Sequence, residues 1–186
     1  MSFARPAKLQ LAACACALAV AMGDAAAQAK ECASEPELST LDFWVGNWQV
    51  CAQGERAGSD RVSKILHGCA VGEEWTASDG SRGQGLFYYD VQAKLWKQVW
   101  LTDDALRPGG QKEKHLVARY PDGGVRFEGE IALADGRRIL DRTTLRPGAQ
   151  GTVMQRIEIS RDGGDTWTST FDAVYRPMSA DAASCR

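Results

Sequence analysis

Two histidines, His67 and His115, are all that the 186 residues contain. Neither has cysteine or carboxylate neighbours at ligand spacing, so a metal or haem site has little to be built from. No cysteine pair stands at the C-x-x-C spacing of zinc ribbons and redox motifs. The chain has no G-x-S-x-G elbow, no P-loop and no H-E-x-x-H, which removes the common hydrolase, nucleotide and metalloprotease chemistries. Basic excess is missing too, with 22 Lys and Arg against 24 Asp and Glu. That is the opposite of a nucleic-acid footprint. Beyond residue 29 no apolar run is long enough to cross a bilayer. These absences call for no cofactor, no metal, no nucleic-acid partner and no stable membrane insertion, and they make an enzyme the lesser expectation.

The N-terminus carries an address. Arg5 and Lys8 precede an apolar run of 12 residues, Leu11 to Met22, and a small-x-small site at Ala27-Gln28-Ala29. This is the layout of a secretory signal peptide over residues 1–29. Leu11-Ala12-Ala13-Cys14 also spells a lipoprotein box, but most of the apolar run follows that cysteine instead of preceding it, which argues against lipidation. Cleavage after Ala29 removes two basic residues and one acidic one, leaving 157 residues with a net charge of −3. The expectation is one exported domain, periplasmic or secreted, over residues 30–176 with a loose tail at 177–186.

A short helix is expected from Glu35 to Phe43, with Ser34 as its N-cap and Pro36 at its first position. After the first strand, which leads through Trp48 to Cys51, alternating segments of about eight to ten residues recur at 59–66, 69–77, 83–90, 94–102, 112–120, 124–132, 136–145, 152–160 and 166–176. Turn signals separate them, among them Asp79-Gly80, Pro121-Asp122-Gly123-Gly124, Asp135-Gly136 and Asp162-Gly163-Gly164. Short strands at this spacing predict an all-β antiparallel meander. Closing eight to ten strands into an up-and-down β-barrel removes the edges that an open sheet would expose.

Strand alternation then assigns faces. Val125, Phe127, Gly129 and Ile131 make one inward row; Val153, Gln155, Ile157 and Ile159 make another; Trp167, Phe171, Ala173 and Tyr175 make a third. The same register turns Val71, Glu73, Trp75, Phe87 and Tyr89 inward. For the strand after the Asp90–Lys94 turn, Lys97 prefers water, so Trp96, Gln98 and Trp100 are placed inside. Polar groups in the interior would then be Glu73, Gln98, Asp141 and Gln155, joined in one version of the register by His115 and Arg119. Such groups imply an ion-pair network or a wet cavity.

Cys32, Cys51, Cys69 and Cys185 remain after cleavage, an even number for an oxidising compartment, with three possible connectivities. One strand length, about 20 Å at roughly 3.3 Å per residue, separates Cys51 from Cys69 in a meander. A disulfide between them is therefore disfavoured. Cys32, Cys69 and Cys185 gather at one end, and the expected bond is Cys32–Cys185.

Ser160-Arg161-Asp162-Gly163-Gly164-Asp165-Thr166-Trp167 resembles the Asp-box of sialidases and other propeller proteins. There it braces a hairpin and is not catalytic. Together, Leu41-Asp42-Phe43-Trp44-Val45-Gly46-Asn47-Trp48, Glu74-Trp75, Phe87-Tyr88-Tyr89-Asp90, Trp96-x-Gln98-x-Trp100 and this hairpin resemble a family of exported bacterial proteins with lipocalin-like (calycin) barrels. Gly46 and Trp48 are similar to the lipocalin Gly-x-Trp, whose Trp plugs one barrel end. The resemblance implies an internal cavity and brings no catalytic residues. The expected function is binding of a small apolar or amphipathic molecule, with Trp48, Glu73, Trp75, Phe87, Tyr89, Trp96, Gln98, Trp100, Gln155 and Phe171 as candidate contacts. The rivals are an acid–base enzyme of isomerase or cyclase type using Glu73 or Asp141, and a cell-envelope interaction module.

Overall fold

The computed structural model describes residues 32, 34–178 and 185. The expected signal peptide at 1–29 and most of the tail lie outside the described residues. Ten antiparallel strands follow one another: β1 (Gly46–Ala52), β2 (Glu55–Ile65), β3 (Ala70–Ala77), β4 (Arg82–Asp90), β5 (Leu95–Thr102), β6 (Gln111–Arg119), β7 (Val125–Ala132), β8 (Arg138–Pro147), β9 (Val153–Ser160) and β10 (Thr168–Pro177). Each pairs with its sequence neighbour, and β1 pairs with β10 from Trp48↔Pro177 to Ala52↔Ala173, closing the barrel. No strand edge is left free in that closed ladder. The expected ten-stranded limit of the meander is what forms.

The turns follow the sequence chemistry. Asp90 Oδ1 accepts from the Gln92 and Ala93 backbone N–H groups at 3.0 and 2.9 Å and so turns β4 into β5. The Asp-box serves as the hairpin brace its pattern predicts. Asp162 Oδ1 accepts from Ser160 Oγ at 2.7 Å and from the Thr166 N–H at 2.9 Å, and Trp167 Nε1 donates to Gly164 O at 3.0 Å.

One end of the barrel is closed by the segment before β1. The structure forms two short 3₁₀ turns here, Pro36–Ser39 and Asp42–Trp44, in place of one helix over Glu35–Phe43. The N-cap is Glu35, whose carboxylate accepts from the Glu37 N–H, not Ser34. The segment is short and bent because it must drop Leu41 and Trp44 into the barrel mouth, where both are fully buried. Trp44 meets Phe87 edge-on at 5.2 Å, Phe87 meets Phe127 at 5.5 Å, and Trp48 Nε1 donates to Trp44 O at 2.9 Å. Trp48 is thus buried in the apolar cluster beside the plug. Ion pairs hold the plug from outside: Lys64 to Asp42 at 2.6 Å, and Arg119 to Glu37.

Three sequence readings are corrected. The disulfides are Cys32–Cys69 and Cys51–Cys185, with Cα separations of 5.1 and 5.5 Å; Cys32–Cys185 does not form. Cys32 and Cys69 do meet at the closed end. Cys185, however, lies seven residues beyond Met178, a reach of about 23 Å, which is enough to meet Cys51 on β1. Trp167 faces outward and stacks on Arg142 at 3.8 Å, because the β9–β10 register shifts between Ser169 and Phe171 and a bulge reverses side-chain parity. Phe171, Ala173 and Tyr175 keep their inward places. His115 is exposed on the outer face, opposite Lys97 and Glu128. On β6 Lys112, Lys114 and Leu116 face in, and a bulge between Leu116 and Ala118 then sets Arg119 opposite Val125 at the closed mouth, where it pairs with Glu37 instead of entering the polar interior.

Candidate functional site

Between the apolar plug and the open rim the inward rows meet in a polar belt. β2 supplies Asp60, β3 Glu73, β5 Gln98, β6 Lys114, β8 Asp141 and Thr143, and β9 Gln155, all buried. Each reaches this level because alternation gives every strand an inward residue here, and for these strands that residue is polar. β4 contributes Gly85, and a Cβ there would collide with Glu73 Oε2. The Glu73 carboxyl therefore leans across β4 in the direction of β5, where Gln98 sits.

Above the belt lies a cavity of about 220 Å³ lined by Glu73, Gln98, Lys112, Lys114, Thr143, Gln155 and Tyr175 on its polar side, and by Trp75, Trp100, Ile157 and Phe171 on its apolar side. Trp75 and Phe171 meet edge-on at 6.3 Å. Trp100 lies over Gly83, where any side chain would displace its indole. Liquid water occupies about 30 Å³ per molecule, so the space suits a molecule of one ring or a short chain.

Two separate charge systems share the belt. On one side Asp141, 1% exposed, takes Lys112 Nζ at 2.7 Å and Lys114 Nζ on its two oxygens. Lys114 also donates to Thr143 Oγ1 at 2.7 Å. Burial pulls the Lys114 ammonium down to about 8, although Asp141 works in the opposite direction. On the other side Asp60 and Glu73 face each other with no lysine or arginine in an ion pair with either, among the described residues. Burial pushes Asp60 up to about 7, only partly offset by the Arg61 backbone N–H and the hydrogen bond with Glu73. Burial also drives Glu73 well above the usual carboxylate range, and the charge of Asp60 adds to it. Like charges in a dry site cannot both ionise freely, so the pair shares protons. Tyr175 Oη donates to Gln155 Oε1 at 2.8 Å. Its own proton is held more tightly by burial and by the two nearby acids.

Of the ten expected contacts, Glu73, Trp75, Gln98, Trp100, Gln155 and Phe171 come together around the cavity. Trp48, Phe87, Tyr89 and Trp96 do not; they pack with or against the apolar cluster of the closed end. Trp96 also donates to Glu37 Oε1 at 3.0 Å, which ties β5 to the plug. Sequence reasoning missed Asp60, Lys112, Lys114 and Thr143. For Asp60 a signal existed, since Val62 two residues on is buried on the same face. For Lys112 and Lys114 the only hint was Leu116 on the same face, which packs against the apolar cluster. Among the described residues no group of three or more His, Cys, Asp and Glu could hold a metal ion, and no helix is long and apolar enough to cross a membrane. Compared with known proteins, the chain matches no family model, and no curated protein matches it either.

Proposed function

We propose that this protein is an exported barrel that binds one small amphipathic molecule in the open half of its interior. The observation that carries the reading is the 220 Å³ cavity with aromatic walls and a polar floor, the form that small-molecule sites usually take. The ring or chain of the ligand lies against Trp75, Trp100, Ile157 and Phe171, and its polar end meets the belt. Two disulfides support a life in the oxidising space outside the cytoplasm, periplasmic or secreted. The closed ten-stranded barrel with Trp48 beside its plug supports kinship with lipocalin-like proteins.

Trp75 and Trp100 in the wall make the binding visible. Titration of the full chain with one-ring aromatic acids, alcohols and amines, short fatty acids and haem is expected to change tryptophan fluorescence for the one-ring compounds. Haem and long chains are too large for the space. Silence across the one-ring panel, repeated by calorimetry, overturns the reading.

A second reading has its own observation. Burial pushes Asp60 up to about 7 and drives Glu73, which lines the cavity, well above the usual carboxylate range, which suits general acid–base chemistry on a bound carbonyl compound. Asp141 is occupied by two lysines and leaves that role to the Asp60–Glu73 pair. Proton–deuterium exchange next to the carbonyl of small cyclic ketones, followed by NMR in D₂O, tests it. Exchange no faster with the native protein than with Glu73→Gln removes this reading.

A further inference from the structure

The polar groups around the cavity divide into those already engaged by the fold and those not. Lys112 and Lys114 hold Asp141 between them, Lys114 also holds Thr143, and Tyr175 holds Gln155. The Asp60 oxygens are unpaired as well but do not line the space. Of the described residues that line the cavity, two have a buried atom that receives no hydrogen bond from the fold, Glu73 Oε2 and Gln98 Oε1. Their residues are 4% and 6% exposed, and both line the cavity. Both atoms are oxygens. A buried acceptor without a donor loses its hydration with no return, a cost of about 1–3 kcal/mol per group. Both face the same space: Glu73 leans over the side-chain-free Gly85 toward β5, where Trp100 lies opposite Gly85 and Gln98 is the next inward residue, and Glu73 and Gln98 line one cavity.

Resting on the binding reading above, we infer that the ligand presents a hydrogen-bond donor, an aromatic alcohol or primary amine, to Glu73 and Gln98, with its ring between Trp75, Trp100 and Phe171. An anionic head is the poorer fit. It would face the unpaired oxygens of Glu73 and Gln98, while the lysines that could welcome it already share a carboxylate. A head without polar atoms leaves both acceptors as they are. The tryptophan and phenylalanine faces favour a ring and, for the amine, add a cation–π attraction. Lys112 and Lys114 work against that added charge, so the neutral alcohol is expected to bind as well as the amine.

Four ring-matched probes separate these cases: benzyl alcohol, benzylamine, benzoate and toluene, titrated by calorimetry into the full-length native protein and into Gln98→Met and Glu73→Met. Benzyl alcohol and benzylamine are expected to bind the native protein about tenfold more tightly than toluene or benzoate, the equivalent of one buried hydrogen bond to an otherwise unpaired acceptor. Each methionine variant, checked for native circular dichroism, is expected to keep toluene binding and lose most of the preference for the donors. Benzoate binding tightest overturns the donor assignment alone. Toluene equal to benzyl alcohol also overturns it, since water would then serve both acceptors. If none of the four binds the native protein, the cavity reading itself fails and this inference with it. The native comparison decides even if neither variant folds.

Discussion

At the closed end, the inward rows of β3, β4 and β5 carry Val71, Phe87 and Trp96; toward the open end the same rows carry Glu73 and Trp75, Gly85 and Gly83, Gln98 and Trp100. The strands, the pairing and the twist continue from one end to the other. Only the side chains change, and with them the work that each half performs. Large apolar groups interlock below with Leu41 and Trp44 filling the mouth, so that half supplies the stability of the barrel. Above, glycines withdraw volume and polar residues occupy the belt, so that half has room and unsatisfied chemistry. A barrel built as a full core from end to end would be more stable and would have no cavity.

The comparison breaks most visibly at Trp44. Trp44→Ala opens a cavity in the sealed end and is expected to cost about 3–5 kcal/mol in urea denaturation. If the loss is under 1 kcal/mol, the plug is not the core of this fold. Asp141→Ala comes next, at about 3 kcal/mol, because it leaves two lysines in the interior without their shared anion. The same measurement checks it, and Asp141→Asn should lose less, since the amide still accepts from one lysine.

A pH series separates the halves without a cavity mutation. Unfolded, Asp60 titrates near 3.8; in the barrel it titrates at about 7. Between those values the folded protein holds a proton that the unfolded chain has released. The stabilisation is therefore complete below about pH 4 and fades as pH rises through 7, at about 1.4 kcal/mol per pH unit at most. Asp60→Asn should flatten this decline in Tm between pH 4 and 7, while Trp44→Ala should lower Tm at every pH by a similar amount. A native Tm that climbs steadily from pH 4 to 7 would show that the acid pair does not hold its protons. The smallest effect on stability belongs to the rim. Trp100→Ala removes a half-buried wall and is expected to cost about 1 kcal/mol, yet to abolish the fluorescence response and the binding of one-ring probes.

How much of this was legible follows from particular residues. The strands were, because apolar alternation between Asp- and Gly-rich turns has a period of two that no helix shares. The inward side of β5 was readable from Lys97, which does stay outside with Asp90 at 2.6 Å. The same rule applied to β6 fails. Gln111 to Lys114 are polar on both faces, and Lys114 goes inside because Asp141 and Thr143 wait on β8, some 27 residues further along the chain. Nothing local announces that partner. Trp167 was misplaced because one bulge at Ser169–Phe171 reverses the alternation behind it, and bulges leave little trace in a sequence.

By itself, the sequence determined the class of fold, the turns, the Asp-box brace and the six cavity residues from Glu73 to Phe171, because each depends on neighbours within one strand or one hairpin. Tertiary structure alone decided the rest. Barrel closure brought Asp60 to Glu73 and Lys114 to Asp141, chain reach carried Cys185 back to Cys51, and the plug divided the interior into a full half and a hollow one. Those outcomes depend on which strands lie opposite across about ten positions of a closed ring, and pairwise alternation along the chain contains no term for that.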